Sequence, residues 1–269
     1  MKKLFVVLLG LTVLGSFTLP LQTEKKSPLN PSSPCKSDSC NLEIFLLIGQ
    51  SNMAGRADIE MLDQDTLENV FLFTGKENHP WEKAANPLNK YSSIRKKLSM
   101  QRLGPGYSFA QKMALNRKGK PIGLVVNAKG GSSISEWKPG SAFYREAVKR
   151  TKEAMKYGRL GGIVWHQGES DASKADSYLT KINELIRAFR KDFNLPGLPF
   201  VAGQIAEDKP GRKNFNKMIK KLPSQLDQTA VISAKGTATI DSSHFNSASQ
   251  RLMGKRYARK MLRLLKENK

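Results

Sequence analysis

Only three histidines occur in the 269 residues, and two of them stand three positions from a carboxylate: His166 before Glu169, and His244 after Asp241. At that spacing a carboxylate can reach an imidazole nitrogen, fix the ring's tautomer and stabilise its charged form. A histidine base needs a nucleophile to act on. The candidate is Ser51, which closes the apolar run IFLLIGQS at Ile44 to Ser51. A hydroxyl deprotonated by histidine attacks carbonyl carbon, so the chemistry on offer is acyl transfer through an acyl-serine intermediate. The order Ser51, Asp241, His244 is one that α/β hydrolases use, with acid and base delivered by one late loop. The plainer readings are a serine that only caps the element after a strand and histidine–carboxylate pairs that only support the fold. His79, beside Pro80 and Trp81, reads as a loop residue.

The tetrahedral intermediate of acyl transfer carries an oxyanion and needs donors aimed at it. The candidates are the backbone N–H of Ser51, a backbone N–H at Gly130 or Gly131, and the side-chain amide of Gln167. Gln50 and Asn52 flank the nucleophile and are expected to tie its turn together. Glu169 is read as a support that bonds backbone amides near the site. Arg56 is either a ligand for a carboxylated sugar or a surface residue. Trp137 is balanced between a sugar or acetyl pocket and the core, and Trp81 leans toward the core.

These residues have to be brought together by the elements around them. Ile44 onward reads as a buried parallel strand, with further strands at Asn69 to Phe73, Pro121 to Ala128, Gly161 to His166, Leu198 to Gln204 and Ala230 to Ala234. Helices are expected at Tyr107 to Arg117, at Ser141 to Tyr157 with Gly158 as its stop, behind His166 with a core stripe from Tyr178 to Phe193, and at Arg212 to Lys221. Ser247-x-x-Gln250 fits a capping box that opens a terminal helix. Gly75 to Met100 reads as a long polar excursion, and Thr239 to Phe245 as a loop. Strands alternating with helices imply an α/β fold, a parallel sheet covered on both faces. Its carboxyl edge would collect Gln50 to Asn52, Asn127 to Ser133, His166 to Asp171 and Asp241 to His244 in one cleft.

The first 22 residues, with Lys2 and Lys3 before an apolar stretch, match an export signal or an uncleaved anchor, so a secreted or periplasmic location is expected. Residues 23–42 form a Ser/Pro/Lys-rich linker that holds both cysteines, Cys35 and Cys40, which an exported chain could close into a small disulfide loop. Residues 43–269 then make one domain. Two cysteines alone do not build a metal site, and no metal or cofactor is called for. The net charge is +22, and eight Lys/Arg face one acid between Arg251 and Lys269. On a helix such a run is a solvated face. Without a nucleic-acid-binding motif it points away from nucleic acid and toward attraction to an anionic polysaccharide.

Four blocks together carry a resemblance. GQSNMAGR at Gly49 to Arg56, AKGGSSISEW at Ala128 to Trp137, VWHQGESDA at Val164 to Ala172 and DSSHFN at Asp241 to Asn246 are similar to those of carbohydrate acetylesterases of the SGNH hydrolase superfamily, the sialate O-acetylesterase-like and acetylxylan esterase group. The blocks appear in the right order and span most of Ile44 to Leu265. The resemblance implies a flavodoxin-like three-layer α/β/α sandwich and a serine esterase that removes O-acetyl groups from carbohydrates without a cofactor. It further implies Ser51 as nucleophile, Asp241 and His244 as its partners, and Ser51, Gly131 and Gln167 as oxyanion donors. Two departures from the wider superfamily, Gly-Gln-Ser-Asn for Gly-Asp-Ser-Leu and Gln167 for an asparagine, are those of this branch. A lipase or thioesterase of the same fold, and a non-catalytic carbohydrate- or polyanion-binding protein, are the alternatives.

Overall fold

Strand β1, Leu42–Gly49, is buried along its whole length, as a central strand covered on both faces must be. Its alternate side chains serve two cores. Phe45 and Leu47 point into one apolar cluster, and Leu42, Ile44, Leu46 and Ile48 into the other, which is the two-residue period of a strand turned into a layered protein. This computed structural model describes Met1, residues 41–117 and 119–267. The expected export segment, both cysteines and all but the last two residues of the expected linker lie outside the described residues. Leu42, assigned to that linker from sequence, is the first residue of β1 and is buried.

The sheet has seven strands: β1, β2 (Val70–Lys76), β3 (His79–Lys83), β4 (Ile122–Ala128), β5 (Gly158–His166), β6 (Phe200–Gly203) and β7 (Thr229–Ile232). Their order is β3-β2-β4-β1-β5-β6-β7. All neighbours are parallel except β2 with β3. On one face, α2 (Gly106–Asn116) and α6 (Ser247–Glu267) pack together. Phe109 meets Phe45 edge-on with ring centres 5.4 Å apart, and Met253, Tyr257 and Met261 fill the same core. On the other, α3 (Ala142–Ala154), α4 (Ala175–Asp192) and α5 (Arg212–Ile219) are joined through Tyr144 stacked on Phe189 and Tyr178 edge-on to Phe215. Fully burying each such side chain is worth about 1.5–3 kcal/mol. The result is the three-layer α/β/α sandwich with a mostly parallel sheet.

Three readings are corrected. The polar excursion is not wholly irregular: β3 pairs antiparallel with β2, and its single large inward residue, Trp81, packs edge-on to Phe73 at 5.2 Å. His79 is therefore the first residue of an edge strand. Gly158 does not merely stop α3. It opens β5 in extended backbone, where any side chain would strike Leu42. Finally, Ser247 and Gln250 do not form a capping box. Asn246 caps α6, its Oδ1 accepting from the Ser249 N–H at 2.9 Å. The Ser247 hydroxyl donates to the Asp58 carbonyl, and Gln250, fully buried, donates to Asn52. Among the described residues no helix is long and apolar enough to cross a membrane.

Candidate active site

The register of three neighbouring strands sets the site. Gly49 of β1 is level with Ala128 of β4 on one side and with His166 of β5 on the other. The segments that leave those strands therefore start side by side. At Gly49 the backbone has φ 137°, and a Cβ there would run into the His166 carbonyl, so only glycine allows the strands to close up before the turn. Next the Gln50 N–H donates to that same carbonyl (2.9 Å), and Ser51 opens a single helical turn, α1 (Ser51–Ala54).

The Asp241–His244 loop reaches the same edge. It is pinched at its base by a bridge between Thr239 and Phe245 and by the Ile240 N–H donating to the His244 carbonyl at 2.8 Å. Ser242 adopts a left-handed backbone (φ 60°) at the loop's tip. Asp241 Oδ1 then accepts from the backbone N–H groups of Ser243 and His244, at 3.1 and 2.8 Å, and Oδ2 lies 2.6 Å from His244 Nδ1. His244 Nε2 stands 3.0 Å from Ser51 Oγ. Partial burial pushes the Asp241 carboxyl up, but the imidazole and the two backbone N–H groups more than offset this and hold it below its ordinary value. An aspartate that stays ionised keeps the Nδ1 proton in place and leaves Nε2 free to accept one from serine.

The second histidine pair forms as well, in different surroundings. His166 is about 1% exposed. Its Nδ1 lies 2.8 Å from the Tyr257 hydroxyl, which donates onward to the Trp165 carbonyl, and its Nε2 faces Glu169 Oε1 at 3.4 Å. Glu169 Oε1 also accepts from Asn52 Nδ2 at 2.5 Å. Burial drives the Glu169 carboxyl up, yet His166 and Asn52 outweigh it and the group sits below the usual carboxylate range. Burial also raises the Tyr178 and Tyr257 hydroxyls well above theirs.

The cleft beside Ser51 and His244 has a volume of about 510 Å³ and is also lined by Gln50, Gly130, Gly131 and Glu169. Gly130 is the glycine beside Ser51: a Cβ there would strike the Arg56 guanidinium and lie 3.7 Å from the Ser51 Cβ, while one on Gly131 (φ 78°) would meet only Lys96. Gln167 differs from expectation. Its amide hydrogens face three acceptors, Gln50 Oε1 (3.1 Å), the Ser132 carbonyl (3.0 Å) and Asp171 Oδ2 (2.6 Å), while its Oε1 lies 2.8 Å from the Tyr178 hydroxyl. With both N–H groups committed in the interior, Gln167 is a brace between turns and has no donor left for an oxyanion. Trp137 likewise does not line the cleft. It is fully buried, edge-on to Trp165 at 5.4 Å, with Nε1 donating to Ser132 Oγ.

Two residues emerge that the sequence did not single out. Arg212, buried, donates to the Ser242 carbonyl (2.7 Å) and to Ser243 Oγ (3.0 Å), clamping the Asp241–His244 loop. Lys96 brings an ammonium over Gly131. Together with Arg56 and Lys209 they line the cleft, and among the described residues no carboxylate pairs with any of the four. Arg56 is held by the Gly55 and Met100 carbonyls, and its burial depresses its pKa. The signal available in advance was its position just after the Ser51 turn; Arg212 and Lys96 sit in ordinary basic stretches. No group of three or more His, Cys, Asp or Glu that could hold a metal occurs among the described residues.

Known proteins share this arrangement of elements. A probable carbohydrate esterase of Arabidopsis thaliana is 32% identical over 251 residues, covering 86% of this chain and 90% of that protein. Its X-ray structure aligns with a TM-score of 0.75 at 31% identity, over 83% of this chain and 98% of that one. A carbohydrate acetylesterase from Xanthomonas citri shares the fold at 20% identity and a TM-score of 0.63, over 84% of this chain and 57% of that one. NanS does so at 17% and 0.64, over 86% and 99%. The family described as "Carbohydrate esterase, sialic acid-specific acetylesterase" matches residues 41–263, most of the chain. The chain therefore belongs to that family of carbohydrate esterases.

Proposed function

We propose that this carbohydrate esterase removes O-acetyl groups from negatively charged sugars by serine catalysis. The observation that carries the mechanism is the chain of contacts from Ser51 Oγ to His244 Nε2 (3.0 Å) and from His244 Nδ1 to Asp241 Oδ2 (2.6 Å) at the wall of the cleft. As Ser51 Oγ bonds to the acetyl carbonyl carbon, its proton passes to Nε2, and Asp241 stabilises the imidazolium. The carbonyl oxygen becomes an oxyanion beside the N–H of Ser51 and a backbone N–H of Gly130 or Gly131. The bond from carbonyl carbon to the sugar oxygen then breaks, with His244 returning the proton to that oxygen. Water deprotonated by the same ring attacks acetyl-Ser51, releasing acetate and restoring the hydroxyl.

The charge of the cleft supports an acidic substrate. Four cations line it, and the carboxylate in it, Glu169, is already held by His166 and Asn52. Arg56 is partly desolvated, which raises the value of an anionic partner. The family's description as sialic acid-specific agrees with a carboxylated sugar. A role outside the cytoplasm, following the amino-terminal export pattern, belongs to the same proposal. The test is acetate release from O-acetylated sialic acid and from acetylated xylan, by the wild type and Ser51→Ala. Release faster from the acidic sugar, and abolished by the alanine, is expected. Full activity in Ser51→Ala would remove the mechanism, and equal rates on both glycans would remove the charge preference. A series of longer acyl esters separates this reading from a lipase or thioesterase.

A further inference from the structure

Asn52 follows the nucleophile in the chain, yet its side chain holds the residues on either side of the histidine base. Its Nδ2 donates to the Ser243 carbonyl at 3.0 Å, and its Oδ1 accepts from the Phe245 N–H at 3.0 Å. The amide's other donor goes to Glu169 Oε1 (2.5 Å), and its oxygen also receives Gln250 Nε2 (3.2 Å). Every hydrogen-bonding valence of the amide is therefore used, in a side chain that is about 1% exposed. The anchor behind it is also buried. His166 Nδ1 lies 2.8 Å from a tyrosine oxygen that spends its own proton on the Trp165 carbonyl, so Nδ1 carries a hydrogen. His166 Nε2 and Glu169 Oε1 face each other at 3.4 Å.

We propose that Asn52, fixed on the His166–Glu169 pair, is a positioning residue that sets the distance between Ser51 and His244. The proposal rests on the serine mechanism above and adds what holds its two halves together. The Ser51 turn and the His244 loop are 193 residues apart in the chain, and an error of about 1 Å in such a pair costs about 100-fold in rate.

Asn52→Asp is the test, because it keeps the acceptor for Phe245 and Gln250 and removes both donors. Two readouts are taken, acetate release and the rate at which an organofluorophosphonate labels Ser51. The second needs only the serine and its base, so labelled wild type without acetate release would count against the substrate reading and leave this one standing. For a folded Asn52→Asp, shown by an unchanged circular dichroism spectrum, kcat and labelling rate are expected to fall about 100-fold with KM within about threefold. The deficit should shrink as pH is lowered from 8 to 5, because a proton taken up between the introduced carboxylate and Glu169 restores a donor across that gap. The groups facing Glu169 are His166 from β5, Tyr178 from α4 and Tyr257 from α6, with Arg212 of α5 and His244 on the same cleft. Rates within twofold of wild type, or a deficit independent of pH, would overturn the proposal. Should Asn52→Asp fail to fold, Glu169→Gln and Glu169→Ala decide it. The glutamine keeps an oxygen for Asn52 and should lose less than about tenfold, the alanine about 100-fold, and equal losses from the two would overturn it.

Discussion

Two histidines in this protein each stand three residues from a carboxylate, and they end in opposite circumstances. His244 and Asp241 share an exposed loop, with about a quarter of the imidazole and half of the carboxylate side chain open to solvent. One ring nitrogen is held by Asp241 and the other is offered to Ser51. His166 and Glu169 are buried to about 1% and 6%, and both ring nitrogens face protein groups, the Tyr257 hydroxyl and Glu169. The same spacing leaves one pair open at the cleft beside Ser51 and seals the other inside the fold. What separates them is a ring nitrogen directed at the Ser51 hydroxyl on the wall of an open cleft, which is what the proposed serine mechanism needs.

The comparison is broken most directly by removing each ring. His244→Ala is expected to lower kcat by about 10⁴-fold or more with little change in melting temperature, since it deletes the proposed base from an exposed loop. His166→Ala should act the other way. Removing one member of a buried pair costs about 3–5 kcal/mol, so thermal denaturation should shift strongly. The assignment of roles would be reversed if His166→Ala unfolded at the wild-type temperature and His244→Ala did not. Asp241→Asn comes next. It preserves the shape of the loop but no longer fixes the tautomer, and a loss of about 10²- to 10⁴-fold in kcat with KM nearly unchanged is expected.

How far this was legible beforehand follows from the range of the forces. The strands around Ile44, Leu124 and Ile163 announce themselves as apolar runs, and the α4 stripe from Tyr178 to Phe193 has helical spacing, so the layers could be read. Ser51, Asp241 and His244 could be placed on one edge because a parallel sheet gathers its carboxyl ends. Spacing alone left His166 with Glu169 equally open, and it is the triad order and the resemblance of the four blocks that point to His244. Gln167 could not be oriented: whether its amide faces the cleft or the interior depends on Ser132 and Gln50, 35 and 117 positions away. Arg212 hid in a basic helix for the same reason, its partners lying 30 residues further on. The hairpin of β2 with β3 was missed because HPWEK shows one buried aromatic, too little alternation to read as a strand.

The two carboxylates also differ in what acid does to them. Both are held below their ordinary range, Glu169 against strong burial and Asp241 in partial exposure. A folded-state pKa below the unfolded value, about 4.3 for glutamate, means that the contribution to stability is complete above that pH and is lost as pH falls through the folded pKa. The difference in unfolding free energy between wild type and Glu169→Gln is therefore expected to be largest near neutrality and to shrink below about pH 4.3. Denaturant titrations across pH 3–7 measure it. Asp241→Asn should show the same sign at smaller amplitude, because solvent screens an exposed pair. A Glu169 difference that grew toward acid pH would mean that its carboxyl is protonated in the native protein.

The smallest effect expected is at Trp137, the aromatic balanced between pocket and core. Its ring lies against Trp165, and its indole N–H satisfies Ser132 Oγ, while the carbonyl of the same serine holds Gln167. Trp137→Phe keeps an aromatic ring, leaves that hydroxyl without its donor, and should cost about 1–3 kcal/mol. KM should not change, because the indole never reaches the cleft. A raised KM for acetylated sugar, with stability unaltered, would return Trp137 to the pocket and would mean that the 130–137 segment moves when substrate binds.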